Sequence, residues 1–396
     1  MSSTCITTKK TQPSVPCIYC NSSNTVKRGW REKKNEKVQL YVCRSCLRTF
    51  TPCGVKGKHY PLGAIISAMS YYNLGFSLEQ SCKILKNKSG FDVQPSTLAN
   101  WVDEFKDLCR YHRYRPFAIK RYSPYKVVET ATLAHRQLYR FMFHRAKTEL
   151  IIREDIKHAR FGPLADFLAL VPSETPHQLF QEGSRASEAP LKFSCEAMIV
   201  RSKHNLANRL AAFALESVKD NRKRHEAIQK FMLANDTVTV ATEVPVYIKR
   251  DDLAHMQTQL GFELYRKQEK TIQKIETVDE LPKIVTGHID FVQVRNGQIH
   301  ILDYKPNAAK EKPIEQLTLY AMALSRLTGL RMYCFKCAWF DEKDYFEFFP
   351  LHVVYKRKGK RKSRSDRKKI ATKEGIYALN ESPTKIALRP TLIKFP

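Results

Sequence analysis

Asp290, Asp303 and Lys305, carried by "GHIDFVQVRNGQIHILDYKP" (residues 287–306), have the types and spacing for metal-assisted hydrolysis. Asn296-Gly297 separates two alternating runs and predicts a hairpin with a type I′ turn. That turn sets the register: Arg295 opposes Gln298, Val292 opposes Ile301, and Asp290 opposes Asp303. Like charges directly across a ladder destabilise it. Alternation also puts Val292, Val294, Ile299 and Ile301 on the same face, which is therefore expected to be buried. A divalent cation resolves the conflict. Mg²⁺, or Mn²⁺, between the carboxylates removes their repulsion, lowers the pKa of a bound water and stabilises charge growing on a phosphoryl oxygen. Lys305, two residues beyond Asp303 and on the same face, is placed to orient or help deprotonate that water. The competing reading is a surface hairpin whose charges merely align.

A second constellation lies near the amino end. Cys17, Cys20, Cys43 and Cys46 form two C-x-x-C knuckles in "CIYCNSSNTVKRGWREKKNEKVQLYVCRSCLRTF", the spacing of a tetrahedral zinc site, with "VQLYV" as a return strand between them. Such a ribbon is too small to hold together by its core, so the zinc is expected to be structural. Cys5 and Cys53 fall outside the pattern.

The elements that position these groups sit in a chain of 396 residues, 43% hydrophobic, long enough for two or three domains. Its formal charge of +29 makes a polyanion the expected partner, with DNA first. Neither a membrane-spanning run nor the apolar core of a signal peptide is visible, so an intracellular location, cytoplasmic or nucleoid-associated, is expected. Residues 1–14 read as a flexible start, 15–53 as the ribbon, and 59–110 as three helices. The first helix is "YPLGAIISAMSYYNLG"; the second opens at Ser77-Leu78-Glu79-Gln80, which has the form of a capping box; the third follows Pro95, with Leu98, Trp101, Val102, Phe105 and Leu108 at helical spacing. This order suggests a helix-turn-helix, although a small bundle that binds nothing fits the same pattern. Residues 111–126 are basic and aromatic and read as a linker along phosphates or a solvated connector. The segment 355–396 reads as a disordered basic tail adding salt-dependent affinity.

Ribbon and helices together, over roughly residues 15–110, resemble the amino-terminal region of insertion-sequence transposases, with "CRSCLRTFTP" matching their second knuckle. The resemblance implies that the third helix reads DNA, with Ser96, Thr97 and Asn100 near its exposed start. Farther on, "GHID", the hairpin, "ILDYKP" and "EQLTLYAMAL" resemble the PD-(D/E)XK nuclease superfamily, nearest its RecB-like branch. That resemblance implies an α/β, restriction-endonuclease-like core, a mixed sheet flanked by helices, over residues 127–354. It makes Asp290 and Asp303 metal-binding acids, Lys305 the catalytic lysine, and Gln316 and Tyr320 the Q-x-x-x-Y pair, which share a helix face at i and i+4. Glu243 in "VTVATEVPVYI" matches an acidic strand position, and His204 is the expected family histidine, with His144 competing. Some relatives hold an iron-sulfur cluster on four cysteines; Cys195, Cys334 and Cys337 fall one short, and alternation points the last two to opposite faces, so no cluster is expected.

The expected function is a metal-dependent DNA nuclease targeted by its amino-terminal modules, in a mobile-element, defence or repair system, with a homodimer as the assembly to test. A non-catalytic DNA-binding regulator and a transposase-related protein are the alternatives. Endonucleolytic and exonucleolytic cutting stay open.

Overall fold

The computed structural model describes residues 15–33, 36–51, 59–193, 199–218, 220–268, 271–355 and 376–378. Residues 1–14, Cys53, Cys195 and most of the basic segment after Tyr355 lie outside the described residues. The ribbon consists of β1 (Thr25–Lys33) and β2 (Glu36–Cys43), antiparallel, with β3 (Thr49–Phe50) added to β2. Its apolar centre is little more than Cys17, Cys43 and Phe50.

Three helices follow, α1 (Leu62–Asn73), α2 (Leu78–Ser89) and α3 (Pro95–Glu104). The capping box expected at Ser77 is present: Gln80 N donates to Ser77 Oγ at 3.1 Å and Ser77 N donates to Gln80 Oε1 at 3.0 Å. Helix α3 ends earlier than its apolar spacing suggested. The stretch read as a linker departs from expectation. It contains α4 (Arg115–Arg121), buries Tyr111 and Ala118, and sends the Arg115 guanidinium to Tyr72 O and Phe76 O, each at 2.8 Å. Tyr72 O belongs to the open end of α1, where a cation is favourable, and Phe76 O to the turn that leads to α2, so the segment is a packed joint.

The remaining elements are β4 (Val128–His135), β5 (Gln137–His144), α5 (Arg145–Thr148), α6 (Gly162–Glu174), α7 (His177–Glu182), β6 (Ser184–Arg185), β7 (Leu191–Lys192), β8 (Ile199–Ser202), α8 (Leu206–Glu216) and α9 (Arg224–Asn235). After them come β9 (Thr239–Lys249), α10 (Arg250–Thr258), β10 (Tyr265–Gln268), β11 (Thr271–Lys274), β12 (Ile284–Arg295), β13 (Gln298–Tyr304), α11 (Ile314–Thr328), β14 (Phe335–Phe340), β15 (Tyr345–Phe348), α12 (Leu351–Val354) and β16 (Ile376–Ala378). One mixed sheet runs β16-β8-β15-β14-β13-β12-β9-β5-β4, with β6 parallel to the start of β12 and β13 parallel to β14; β7, β10 and β11 form a small sheet of their own. This is an α/β fold, a mixed sheet flanked by helices. Strand β16 lies within the stretch expected to be a disordered tail and pairs with β8.

Period-two alternation divides the central strands between two cores. Val292, Val294, Ile299 and Ile301 face α6, α10 and α11; Phe291, Leu302 and Tyr304 face α8 and α9. The second core continues into Ile65, Leu85, Leu98 and Trp101 of α1–α3. The helical unit thus shares a core with the sheet instead of standing as a separate bundle. Buried polar contacts reinforce the joint: Asn73 Nδ2 donates to Asn235 Oδ1 at 2.8 Å, and Asn235 Nδ2 donates to Ser70 Oγ at 2.9 Å. Cys334 and Cys337 also depart from expectation. Cys334 sits in a 3₁₀ turn before β14, and both thiols pack into the same core. Among the described residues, no helix is long and apolar enough to cross a membrane.

Candidate active site

Asn296 and Gly297 have φ of +53° and +71°, the two left-handed residues of a type I′ turn. The ladder runs as that turn dictates, from Arg295↔Gln298 through Val292↔Ile301 to Phe291↔Leu302, and there it stops. Asp290 and Asp303 would be the next rung. Instead of a regular pair, Asp290 Oδ2 accepts the Tyr304 backbone N–H at 3.0 Å. On the other side of β12 the pairs Ile289↔Val244 and Phe291↔Thr242 bracket Asp290 and Glu243, which also drop out of the ladder. Glu243 has φ +50°, a strained conformation for a strand residue with a side chain. Three carboxylates therefore stand level on three neighbouring strands, β9, β12 and β13, where regular pairing gives way.

The charges of this row are managed by neighbours. Burial, then the charge of Asp290, pushes Asp303 well above the ordinary carboxylate range. Burial would also raise Asp290, but the hydrogen bond and charge of His225 outweigh it and hold Asp290 down. His225 Nδ1 lies 3.4 Å from Asp290 Oδ2; burial disfavours its charge, yet Asp290 raises its pKa overall. Burial and Asp290 together push Glu243 up to about 7, while Gln229 Nε2 donates to its Oε1 at 2.7 Å. Lys305 Nζ pairs with Asp303 Oδ2 at 3.1 Å, and among the described residues no other group donates to that buried oxygen. A buried carboxylate oxygen next to Asp290, with Glu243 one strand farther on, suits a hard divalent cation.

Gln316 and Tyr320 meet on one face of α11, with Gln316 Nε2 donating to the Tyr320 hydroxyl at 2.8 Å. The Tyr320 ring lies against the backbone of β12: a Cβ on Gly287 would come 2.2 Å from its Cε1. Asp290, Asp303, Lys305, Gln316, Tyr320 and Glu243 line one cavity of about 390 Å³. His204 does not join them. It is exposed, just before the Asn205 cap of α8. His144 is buried elsewhere, at the end of β5 against Tyr111, with burial holding its pKa well below the usual histidine range. The histidine that reaches the acids is His225, in the first turn of α9, within the same helical stretch that His204 opens. Sequence reasoning also missed His135, His288, Tyr139 and Arg185, all lining the cavity. A motif "GHID" did put His288 on the same strand face as Asp290, two residues away.

Ser96 and Asn100 are exposed at the start of α3, and Thr97 is half-buried. In the ribbon, the Sγ atoms of Cys17, Cys20, Cys43 and Cys46 all lie within 4.8 Å of one another, a group able to hold a metal ion. Backbone N–H groups of Cys46 and Ser45 lower the Cys43 thiol to about 6; the Ser22 backbone would lower Cys20 too, but burial and the neighbouring thiols outweigh it and push Cys20 up to about 12, so Cys43 is the first thiolate of the group.

Acids on adjacent strands of a mixed sheet, next to a lysine two residues past the last acid, define a nuclease of the metal-dependent kind. The model of the PD-(D/E)XK nuclease superfamily matches residues 177–374, half of the chain and all three acidic strands, and the chain belongs to that superfamily. Its nucleases use divalent metals. No curated protein and no solved structure matches the chain.

Proposed function

We propose that the protein is a Mg²⁺- or Mn²⁺-dependent deoxyribonuclease, of the RecB-like branch, brought to its DNA by a zinc ribbon and a helix-turn-helix formed by α1–α3. The observation that carries the reading is the row of three carboxylates, Asp303, Asp290 and Glu243, level on neighbouring strands with Lys305 Nζ 3.1 Å from Asp303 Oδ2. Asp290, Asp303 and Glu243 would hold the ion, which when bound supplies a water of lowered pKa and positive charge for a phosphoryl oxygen. The residues do the rest. His225 keeps Asp290 anionic and therefore ready as a ligand; Gln229 holds Glu243 in its strained place; Lys305 presents a cation where the attacking water and the phosphate meet; Tyr320, fixed by Gln316 and by Gly287, closes the floor of the cavity. Net charge supplies attraction to the phosphate backbone, and Ser96, Thr97 and Asn100 are the residues of α3 placed to read bases. Because α1–α3 share a core with the sheet, cuts should fall at a fixed offset from the bound sequence. A mobile-element, defence or repair system is the setting that this pairing of modules fits.

Purified protein incubated with circular, linear, forked and single-stranded DNAs in Mg²⁺, Mn²⁺ or EDTA tests this. Metal-dependent cutting of at least one DNA, lost in Lys305→Ala while metal binding persists, is expected. Absence of cutting on every DNA with either ion would leave the nuclease reading without support.

A further inference from the structure

The acids line one part of the cavity; another part is lined by a cation that has no counterion among the described residues. Arg185 is half-buried and lines the cavity, and among the described residues no carboxylate pairs with it and no hydrogen bond engages its guanidinium. Withdrawing such a group from water costs free energy unless an anion comes to meet it.

Its placement is constructed with some care. Strand β6 consists of Ser184 and Arg185 alone, laid parallel to the start of β12 with Arg185 opposite Thr286. Ala186 N donates to Thr286 O at 2.9 Å. A Cβ on Gly183 would come 2.7 Å from Thr286 Cγ2 and 2.8 Å from Leu179 O, so only glycine allows this approach. Arg136, itself at φ +60°, donates to Gln181 O at 3.1 Å and Gly183 O at 2.9 Å and pins the turn before the strand.

The wall beside Arg185 is aromatic. Tyr139 stacks on His288 with ring centres 3.5 Å apart, and Phe180 stacks on His135 at 3.9 Å. His135 joins His288 and His177 through its ring nitrogens, Nδ1 to His288 at 2.8 Å and Nε2 to His177 at 2.9 Å. Such a chain of rings holds the wall rigid and presents flat faces. Along β12, Thr286 and Asp290 are four residues apart, about 13 Å of backbone at strand spacing, so Arg185 enters the cavity from a strand position well before the acids.

We infer that Arg185 and the Tyr139–His288 wall form a subsite for a nucleotide of the same strand flanking the cleavage point, with Arg185 holding a phosphodiester that is not the one cut. The inference rests on the nuclease reading and adds a second, fixed contact to it. Arginine suits this role because its planar fork takes two phosphate oxygens at once.

Oligonucleotides carrying a single neutral methylphosphonate at successive positions around the cut test the assignment. In the wild type, neutralising one flanking phosphate should raise KM about ten- to a hundredfold, the range of a hydrogen bond to a charged group. Arg185→Ala should raise KM by the same factor on unmodified DNA with kcat little changed, and in that variant the methylphosphonate at that one position should cost nothing more. Other positions should keep their cost, and Arg185→Lys should recover part of the loss, which also shows that the site still folds. A methylphosphonate profile identical in wild type and Arg185→Ala would overturn the subsite while leaving the nuclease reading intact. Failure of the wild type to cut any unmodified oligonucleotide would overturn the nuclease reading, and the subsite with it.

Discussion

In the ribbon, four sulfur atoms lie within 4.8 Å of one another, and the apolar residues that surround them amount to Cys17, Cys43, Phe50 and a few partly covered neighbours. In the sheet, Glu243, Asp290 and Asp303 hang from strands that run through the two large cores, and their oxygens are not gathered into a group as tight as the cysteines. The two regions assemble ligands by opposite means. Two local knuckles bring the thiols together, and a metal would then hold the ribbon. The acids are held by the fold against their own repulsion, at the one level where β9, β12 and β13 cease to pair. A metal lost from the first should cost structure; a metal lost from the second should cost only chemistry.

The largest effect that sharpens this contrast is expected at Asp303. Asp303→Asn should lower cleavage by more than about a thousandfold, on the scale of losing a group that acts in the transition state. Its apo stability should barely change, because the buried carboxyl already favours its neutral form, which asparagine imitates. Asp290→Asn should be as inactive but somewhat lower in apo stability, because it gives up the pairing with His225 that holds the Asp290 carboxylate charged. Melting curves with and without Mn²⁺, beside cleavage assays, check both; strong unfolding of either variant would break the contrast.

Next comes the ribbon. Cys43→Ser with Cys46→Ser should remove about one zinc per chain, since two thiols do not hold the ion tightly, and should unfold the ribbon. The main melting transition should stay where it is, because the ribbon's few core residues form a cluster of their own. Metal analysis and calorimetry read the two halves of this expectation, and a large downward shift of the main transition would contradict it.

Smaller, but still substantial, is Gly287→Ala. The added methyl would lie 2.2 Å from Tyr320 Cε1, an overpacking that costs about 1–3 kcal/mol and moves the tyrosine off the floor of the cavity. Thermal melts should show the loss, and cleavage should fall with kcat more than with DNA affinity.

The smallest effect is in pH. Glu243 is raised from its usual 4.5 to about 7 in the folded protein, so its contribution to apo stability is complete below about 4.5 and is lost as the pH climbs through 7. A divalent ion must displace that proton, hence the rise in Tm given by Mn²⁺ should be larger at pH 8 than at pH 6. Glu243→Gln should flatten this difference. Equal metal-induced shifts at the two pH values in the wild type would argue that Glu243 does not face the ion.

Legibility in the sequence followed distance along the chain. The hairpin register was readable because a two-residue Asn-Gly loop leaves the strands no choice; the Ser77 capping box and the cysteine knuckles were readable for the same local reason. His225 was not. The starts of α8 and α9 look alike as strings, each with a histidine near a helix start, and only the packing of α9 against β9 and Tyr304 brings His225 to Asp290 and leaves His204 in solvent. The basic and aromatic stretch around Tyr111 read as a linker because its charges are local, whereas the apolar surface that buries Tyr111 comes from α4, β4 and α5.

By itself, then, the sequence determined which residues are acids on opposed strands, which cysteines form knuckles, and that the chain carries a large positive charge. It also determined that Asp290 and Asp303 sit one rung past the last apolar pair of their hairpin. The tertiary structure alone decided that this rung opens instead of pairing, that Glu243 stands level with it, that His225 and not His204 steadies it, and that Arg185 lines the same cavity with no counterion among the described residues. The reason is physical. Turns and caps are set by contacts within a few residues, while the β9–β12 pairing, the seat of α9 and the tiny β6 strand depend on surfaces that meet only after the two cores have formed.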